Sequence, residues 1–299
     1  YNEACFYYQK AIQVNPRYFE AEANLGVVCM KMEKLNQAIE HFQRALQLNP
    51  KSSETYNNLG LVLQKQGGIE KATCCFRRAL IMNADFPEAY TNLGSILLEE
   101  GEIDKSIILY NRAINIDPNH FEAFFNLGSA QYRQGDFKQA LQSYQRALSI
   151  DSDHAKAHSH YSMTLLTIGR FFEGWKHHEW RWKKAEFESE NKRTFPQPLW
   201  DGSSLTDRSI LVWLEQGIGD QIMFASLLPK LQQQACQVFV ETGKRLIPIF
   251  QRSYTGIDFV SAQNPPDSLL FNSSIDFQCP IASLPQWLLP DEESFPKYQ

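Results

Sequence analysis

Residues 87–120 read PEAYTNLGSILLEEGEIDKSIILYNRAINIDPNH, and this 34-residue unit decides the fold of the N-terminal part of the chain. Apolar residues recur at helical spacing on two segments of the unit, and Gly101 separates the segments. The tripeptide Asn-Leu-Gly returns at the same position of successive units, starting at Asn24, Asn58, Asn92 and Asn126. Columns of alanine, aromatic residues and proline keep the same period. The sequence therefore predicts a repeated helix–turn–helix.

The period also predicts where each repeat lies. Residues 1–18 match only the second helix of a repeat, and a degenerate fifth repeat occupies 155–188. Full repeats are expected at 19–52, 53–86, 87–120 and 121–154. A 34-residue helix pair of this pattern resembles the tetratricopeptide repeat. The resemblance implies an α-solenoid over residues 1–182, and we expect further repeats upstream in a longer parent protein.

The asparagine column is the candidate peptide-binding feature of this solenoid. First helices of such repeats are expected to line a concave face, where the four asparagines would form a ladder of carboxamides. Each amide offers two donors and an acceptor, which suits pairing with a peptide backbone. The ladder resembles that of the O-linked N-acetylglucosamine transferases, where it grips polypeptide acceptors. Alternatively, the asparagines bond adjacent helices and fix the repeat geometry, and the sequence leaves both interpretations open.

Two other polar patterns favour structural explanations. Glutamates recur in the first turn of each first helix, where the helix dipole favours a carboxylate, at Glu20, Glu54, Glu88 and Glu122. Histidines cluster between His154 and His178, but no further ligand is spaced for a metal site. We therefore predict no metal centre and interpret these histidines as packing or surface residues.

Composition excludes several classes of function. The chain has 29 Lys and Arg against 34 Asp and Glu, a net charge of −5, and neither half is basic, so nucleic-acid binding is disfavoured. Its six cysteines form no Cys-x-x-Cys pair, which is typical of reduced thiols in an intracellular protein. Apolar runs fall short of the ~20 residues of a membrane span. No signal-peptide layout opens the chain, so we expect a cytoplasmic protein.

The composition changes near residue 183, because all six tryptophans lie at or beyond Trp175 and the 34-residue period ends. We expect a linker at 183–199 and a Rossmann-like α/β domain at 200–299. Its helices are predicted at about 221–234 and 244–252. Its strands are predicted at 209–214, 237–241, 257–260 and 275–279.

The first strand-to-helix turn is the candidate substrate site, because ligands of open parallel sheets gather at the carboxyl ends of the strands. Gln216, Gly217 and Gly219 are the candidate substrate-binding residues there. Ile222 replaces the third glycine of the dinucleotide fingerprint, and no nucleotide triphosphate loop occurs. We therefore predict no bound cofactor.

The stretch from Leu211 to Ala225, together with Ser283-Leu284-Pro285, carries a second resemblance. It is similar to bacterial tetratricopeptide proteins with a glycosyltransferase-like domain, and that domain resembles the ADP-heptose–lipopolysaccharide heptosyltransferases of the GT-B fold. The resemblance implies inverting transfer from a nucleotide sugar, with Asp220 as the general base. Alternatively, Asp220 caps a helix N-terminus.

Two hypotheses on function follow from these patterns. The chain is a fragment of an inverting glycosyltransferase whose repeats bind a polypeptide or other acceptor, or it is a non-catalytic peptide-binding scaffold with a remnant Rossmann-like domain. In the GT-B fold the second Rossmann domain binds the donor nucleotide. Because the sequence stops within the first half of that fold, we expect the 299-residue chain alone to be inactive.

Overall fold

The computed structural model describes residues 1–183, 193–215, 217–289 and 291–294. The chain divides into two compact units, residues 1–152 and residues 153–299. The fifth predicted helix pair therefore groups with the C-terminal residues. The domain limits predicted at residues 182 and 199 rest on composition and stay a prediction.

The N-terminal unit is a stack of helices in which α1 is followed by four helix pairs. One pair falls within each of the four predicted full repeats, which confirms the register and the helical solenoid. The helices are α1 (Asn2–Val14), α2 (Phe19–Lys31), α3 (Leu35–Leu48), α4 (Ser53–Lys65), α5 (Ile69–Met82), α6 (Pro87–Glu99), α7 (Ile103–Ile116), α8 (Phe121–Gln134) and α9 (Phe137–Ile150).

A glycine of the first helix faces an aromatic ring of the second helix in every pair of this unit. A β-carbon on Gly94 would lie 2.7 Å from Cε1 of Tyr110, whose side chain is fully buried. The other pairs with the same close approach are Gly26 with Phe42, Gly60 with Phe76 and Gly128 with Tyr144. Because interiors are close-packed, these two columns set the distance between the paired helices.

In the four helix pairs the aromatic column carries a hydroxyl only where the first helix offers a partner for it. The hydroxyls of Tyr110 and Tyr144 donate to Ser95 and Ser129 at 3.4 and 3.2 Å. Burial raises the pKa of both tyrosines to about 12, so the phenols stay protonated donors at neutral pH. In the first two pairs, where the ring is phenylalanine, the serine position is held by Val27 and Leu61.

The turn inside each pair passes through one left-handed residue. Gly67, Gly101 and Gly135 hold this position with φ of 81°, 84° and 86°. Glycine enters that region without a steric penalty from a β-carbon. Glu33 occupies the position in the first pair, with φ of 59°. The turn of the repeat therefore requires a left-handed residue, which explains the predicted break at Gly101.

The stacking of the pairs is asymmetric. Helices α2, α4, α6 and α8 contact one another in succession, most extensively between α6 and α8. Within residues 1–152, all of which are described, the second helices α3, α5, α7 and α9 make no comparable contacts with each other. The first helices therefore lie on the inner side of the stack, as expected for a curved array of repeats.

The C-terminal unit contains one helix pair and a small parallel sheet with short helices between its strands. Its helices and strands are α10 (Ala155–Thr167), α11 (Phe171–His178), a 3-10 helix (Glu179–Lys183), β1 (Ser209–Trp213), α12 (Ile218–Ala225), α13 (Leu228–Gln232), β2 (Gln237–Thr242), α14 (Ile247–Ser253), β3 (Asp258–Ser261), β4 (Phe277–Pro280) and α15 (Leu284–Leu288). Among the described residues, no helix has the length and apolar character needed to cross a membrane.

In the pair α10–α11 the small residue of the close helix contact lies on the second helix and not on the first. Ser162 stands at the glycine position and His178 at the aromatic position of the repeat. Ser162 Oγ donates to the carbonyl oxygen of Gly174 at 2.8 Å, and a β-carbon on Gly174 would lie 2.6 Å from the Leu166 side chain. The close contact is therefore kept with the small residue moved to the second helix, which explains the predicted degeneracy.

The four strands form a parallel sheet in the order β3-β2-β1-β4. Ser209 of β1 pairs with Gln237 of β2, and Ile210 pairs with Phe277 of β4. The strand order therefore switches direction between β1 and β4. The predicted alternation of strands and helices is confirmed, and the sheet is small and parallel.

Side chains of β1 alternate between two cores. Ile210 and Val212 pack with Phe224 and Leu228 on one face of the sheet. Leu211 and Trp213 pack on the other face with the cluster Phe195, Leu270 and Ile275. Because both faces are covered, β1 is fully buried, as its continuous apolar sequence predicts.

Two sequence predictions differ from the structure in detail. The helix predicted at about 221–234 begins at Ile218 and is interrupted between α12 and α13. Pro229 lacks the N–H that would bond the carbonyl of Ala225, which explains the interruption. In the predicted linker 183–199, residues 184–192 lie outside the described residues. Phe195 is buried beside β1, so the end of that segment is part of the C-terminal unit.

Candidate functional site

The four asparagines of the predicted ladder occupy one position of α2, α4, α6 and α8, the helices on the inner side of the stack. Asn24 is exposed, and the other three are partly buried. The structure therefore places Asn24, Asn58, Asn92 and Asn126 on successive helices of one face. Their role in binding a peptide stays a prediction.

Two of these amides link neighbouring repeats. Asn92 Nδ2 donates to Asn57 Oδ1 of the preceding first helix at 2.9 Å. Asn126 Nδ2 donates to Ser95 Oγ of its preceding first helix at 3.2 Å. The sequence left open whether the asparagines bond adjacent helices. The Nδ2 groups of Asn92 and Asn126 do so.

The other two amides differ because the preceding positions are apolar or missing. At the positions of Asn57 and Ser95, the helix before Asn58 carries Ala23 and Val27, which offer no side-chain acceptor. No first helix precedes Asn24 in the described array, which begins with α1. Neither the Asn24 nor the Asn58 side chain makes a hydrogen bond within residues 1–152. Both keep their two donors and acceptor for another partner.

The glutamate column has the position expected from the helix dipole. Each of its members lies in the first turn of a first helix and is exposed, namely Glu20, Glu54, Glu88 and Glu122. Carboxylates in the first turn stabilise a helix by about 0.3–1 kcal/mol. This dipole effect explains the column without a ligand. In the described structure no cation of the array forms an ion pair with Glu20, Glu54 or Glu88.

The predicted substrate turn lies between β1 and α12. Gly217 and Gly219 are exposed, and Gln216 lies outside the described residues. Asp220 is partly buried at the third position of α12, and its Oδ2 would lie 3.7 Å from a β-carbon on Gly217. Gly217 is the N-cap residue and no side chain caps the helix. Asp220 is therefore not the N-cap residue, but its place in the first turn still suits the helix dipole, and its role as a base stays a prediction.

A buried ionic cluster, which the sequence did not predict, lies beside this turn. Arg181 Nε and Nη2 donate to the two carboxylate oxygens of Glu215 at 2.8 Å each, and Nη1 donates to Glu179 at 2.6 Å. Ser283 Oγ and the N–H of Ala282 complete the cluster. Burial raises the pKa of Glu215, and its hydrogen bonds to Arg181 oppose that rise.

A second buried carboxylate lies at the second-to-last position of β2. Glu241 is 1% exposed, and Arg193 Nε lies 3.1 Å from its Oε2 without the alignment of a hydrogen bond. Burial raises the pKa of Glu241 to about 6, while the Arg193 charge opposes the rise. Glu241, Glu215 and Asp220 all follow strands or lie near their ends at the carboxyl edge of the sheet, where the sequence analysis expected ligand contacts.

The histidine cluster is a packing feature in the described structure. His154 Nδ1 accepts from the N–H of Ala157 and so caps α10. His158 Nδ1 lies 2.7 Å from His177 Nδ1, and the His158 ring stacks on Trp180. Burial and the neighbouring His158 lower the pKa of His177 to about 4. Among the described residues, no three potential metal ligands come together.

Comparison with known proteins identifies the repeats. Residues 28–67 and 94–135 match a family model described as TPR repeat, and residues 121–154 match one described as tetratricopeptide repeat. These matches lie within the array that α2–α9 form.

One known protein is similar in sequence, and two solved structures are similar in fold. Protein FlbA of Caulobacter vibrioides is 26% identical over 145 residues, which cover 44% of this chain and 24% of FlbA, so the chain spans about a quarter of that relative. The crystal structure of the APC/C hetero-tetramer Cut9-Hcn1 has a TM-score of 0.58 at 17% identity, covering 62% of this chain and 37% of that one. Pseudomonas aeruginosa PilF has a TM-score of 0.51 at 18% identity, covering 54% and 74%.

At these identities the solved structures show the fold alone. The family matches and the helix register agree on the period and position of the repeats. Residues 28–67 and 94–154 therefore match tetratricopeptide repeats, and a helix pair and a small parallel sheet follow the array.

Proposed function

We propose that the repeat array is a polypeptide-binding scaffold whose inner face holds an extended segment of a partner. The observation that carries this proposal is the pair Asn24 and Asn58, whose amides have no partner within residues 1–152. They stand in register with Asn92 and Asn126 on adjacent first helices. Polar groups that have no internal partner are available to a ligand.

The chemistry of these amides suits a peptide backbone. An asparagine side chain presents an acceptor and two donors in one plane, so it can pair with the N–H and C=O of an extended residue. Backbone pairing does not depend on the partner's side chains. Asn92 and Asn126 retain their Oδ1 acceptors, because only their Nδ2 groups make the inter-repeat bonds. The face therefore favours extended segments of broad sequence.

Replacing Asn24 and Asn58 with alanine is expected to weaken peptide binding roughly tenfold to thirtyfold, because two hydrogen-bonding side chains are lost at about 1 kcal/mol each. The measurement is fluorescence anisotropy with labelled peptides selected on the wild-type chain from a random twelve-residue display library. These two positions avoid the inter-repeat bonds of Asn92 and Asn126, so the array should keep its stability.

The matched control is the double replacement of Asn111 and Asn115, which are exposed on the second helix α7. Affinity should stay at the wild-type value in that variant. Equal affinity of the Asn24/Asn58 variant and the wild type would contradict the proposed binding face. So would a selection that enriches no peptide at all.

We propose inverting glycosyl transfer as a second candidate function, on the position of Asp220. This carboxylate lies in the first turn of the helix after β1, at the carboxyl edge of a parallel sheet. As a base it would take the proton of an acceptor hydroxyl while that oxygen attacks the anomeric carbon of a nucleotide sugar. The bond from that carbon to the diphosphate would break, and the nucleoside diphosphate would leave.

Replacing Asp220 with asparagine is expected to lower such a transfer at least a hundredfold, because asparagine cannot accept the proton. The assay is the mass increase of an acceptor protein incubated with the protein and a mixture of nucleotide sugars. Glu100→Gln, which alters an exposed carboxylate of the array, is the control. Transfer that survives in the Asp220→Asn variant would remove this residue from the chemistry.

A further inference from the structure

The C-terminal unit contains a cavity of about 270 Å³ at the carboxyl ends of β1 and β4. Trp213 from the end of β1 and Cys279 and Pro280 from the end of β4 form part of its wall. The cavity therefore lies at the switch in strand order, the position where open parallel sheets bind ligands. Asp220 and the asparagine column do not belong to its described lining.

Indole rings form most of the apolar wall. Two tilted pairs contribute, Trp182 with Trp213 at a centroid distance of 5.6 Å and Trp200 with Trp287 at 6.2 Å, both with planes inclined by 56°. The guanidinium carbon of Arg181 lies 5.1 Å from the Trp182 ring centre. One of these rings thus already carries a cation on its face, an arrangement that tryptophan stabilises better than other aromatic residues.

The ionic groups around the cavity comprise three carboxylates and two arginines, so the negative charge is in excess. Arg181 is shared between Glu215, whose side chain has no exposed surface, and Glu179, whose side chain is 33% exposed and lines the cavity. Arg193, which lines the cavity itself, lies 3.1 Å from the carboxylate of Glu241 and is balanced by it. A ligand entering the cavity therefore meets the incompletely neutralised carboxylate of Glu179.

We propose that this cavity binds a small quaternary ammonium compound of the choline type. A methylated ammonium group is weakly hydrated and is attracted to indole faces. A metal ion would have to give up its hydration water and would gain no ligands from an apolar wall. The Glu179 carboxylate supplies the matching charge. Gln286 Oε1 is a buried acceptor in the lining and has no hydrogen-bond partner in the described part of the chain. It would accept a hydrogen bond from the ligand hydroxyl.

The test is an NMR titration of the ¹⁵N-labelled chain with choline chloride, read at the tryptophan indole N–H signals. The chain has six tryptophans, of which Trp182, Trp200, Trp213 and Trp287 line the cavity. Their signals are expected to shift in a saturable manner, while those of Trp175 and Trp180 stay in place. The uncharged isostere 3,3-dimethylbutan-1-ol should bind at least tenfold more weakly.

Two variants separate charge from shape. Glu179→Gln keeps the side-chain volume and leaves Arg181 paired with Glu215, so the fold should persist and choline affinity should fall at least tenfold. Trp287→Leu changes a ring that is 37% exposed and should lower affinity at least threefold. Trp180→Leu, outside the cavity lining, should leave affinity unchanged.

Some results would overturn the proposal. They are equal binding of choline and its uncharged isostere, unchanged affinity in Glu179→Gln, or shifts of the same indoles by methyl glucoside but not by choline. The same titration with a peptide carrying trimethyllysine tests whether the quaternary ammonium group comes from a protein side chain or from a free ligand. The Asn24/Asn58 variant should bind choline normally, so this proposal and the peptide-binding proposal fail independently.

Discussion

Replacing Gly60 with valine is expected to lower the free energy of unfolding of the repeat array by about 3 kcal/mol. The β-carbon alone would lie 2.6 Å from Cε1 and 2.9 Å from Cδ1 of Phe76, a fully buried ring. The added branches must displace the ring or separate the two helices of the pair. Valine's better helix propensity recovers only a few tenths of a kcal/mol. Urea denaturation followed by circular dichroism measures the change.

A double-mutant cycle shows whether the ring causes this loss. Gly60→Ala adds a β-carbon that clashes with the Phe76 ring, and Phe76→Leu removes the ring, so together they place a small side chain where the ring edge was. The combined variant should therefore lose clearly less stability than the sum of the single losses. Additive losses would mean that Gly60 and Phe76 do not set the helix spacing.

Replacing Arg181 with methionine is expected to destabilise the C-terminal unit by about 3–5 kcal/mol at neutral pH. Arg181 and Glu215 are 4% and 2% exposed, and the variant leaves the Glu215 carboxylate buried without a cation. Methionine keeps much of the side-chain volume, so the lost charge dominates the effect. The measurement is chemical denaturation followed by tryptophan fluorescence, because every tryptophan lies at or beyond Trp175.

The pH dependence of this loss has a definite sign. In the folded variant the pKa of Glu215 should rise further above its unfolded value, because burial is no longer opposed by Arg181. Protonation then removes the buried charge, so the deficit should shrink as the pH falls from about 7 to about 5.

Arg170→Met is the matched control, since Arg170 pairs with Glu173 on the surface with side chains 44% and 47% exposed. It should cost less than about 1 kcal/mol. A similar loss in both arginine variants, or a deficit that grows toward acid pH, would contradict this role of the buried cluster.

The array was predictable because its information is local and repeated. The positions of Gly94 and Tyr110 carry a glycine and an aromatic residue in all four full repeats, so each column is sampled several times along one chain. The left-handed turn at Gly101 is equally local. The repeat limits, their register and the degenerate fifth repeat all followed from this periodicity. The repeat pattern also led us to expect the first helices on the inner face, and the contacts between successive first helices agree with that expectation.

The alternating strands of the C-terminal region were also predictable, because continuous apolar segments such as 209–213 signal buried parallel strands. The break at Pro229 was missed, since an amphipathic pattern ran through it. Strand order was missed as well, because parallel pairing joins residues far apart in sequence. The GT-B architecture rests on the resemblance and stays a proposal.

The candidate sites were only partly visible in the sequence. The asparagine column was evident from its spacing, but the division between Asn58 and Asn92 depends on whether the preceding helix offers a polar neighbour. The ion pair of Arg181 and Glu215 was missed, because neither residue belongs to a repeated column or a ligand motif. An arginine between Trp180 and Trp182 and a glutamate directly after a buried strand were the available signals.

The side-chain amide signals of the asparagines test the peptide-binding face most directly. An NMR spectrum of the chain labelled with ¹⁵N-asparagine would be recorded with and without a library-selected peptide. The proposed face predicts shifts of the Asn24 and Asn58 amides on binding, with the signals of Asn111 and Asn115 unchanged. A peptide that binds without shifting Asn24 or Asn58 would contradict the assignment of the inner face as the binding site.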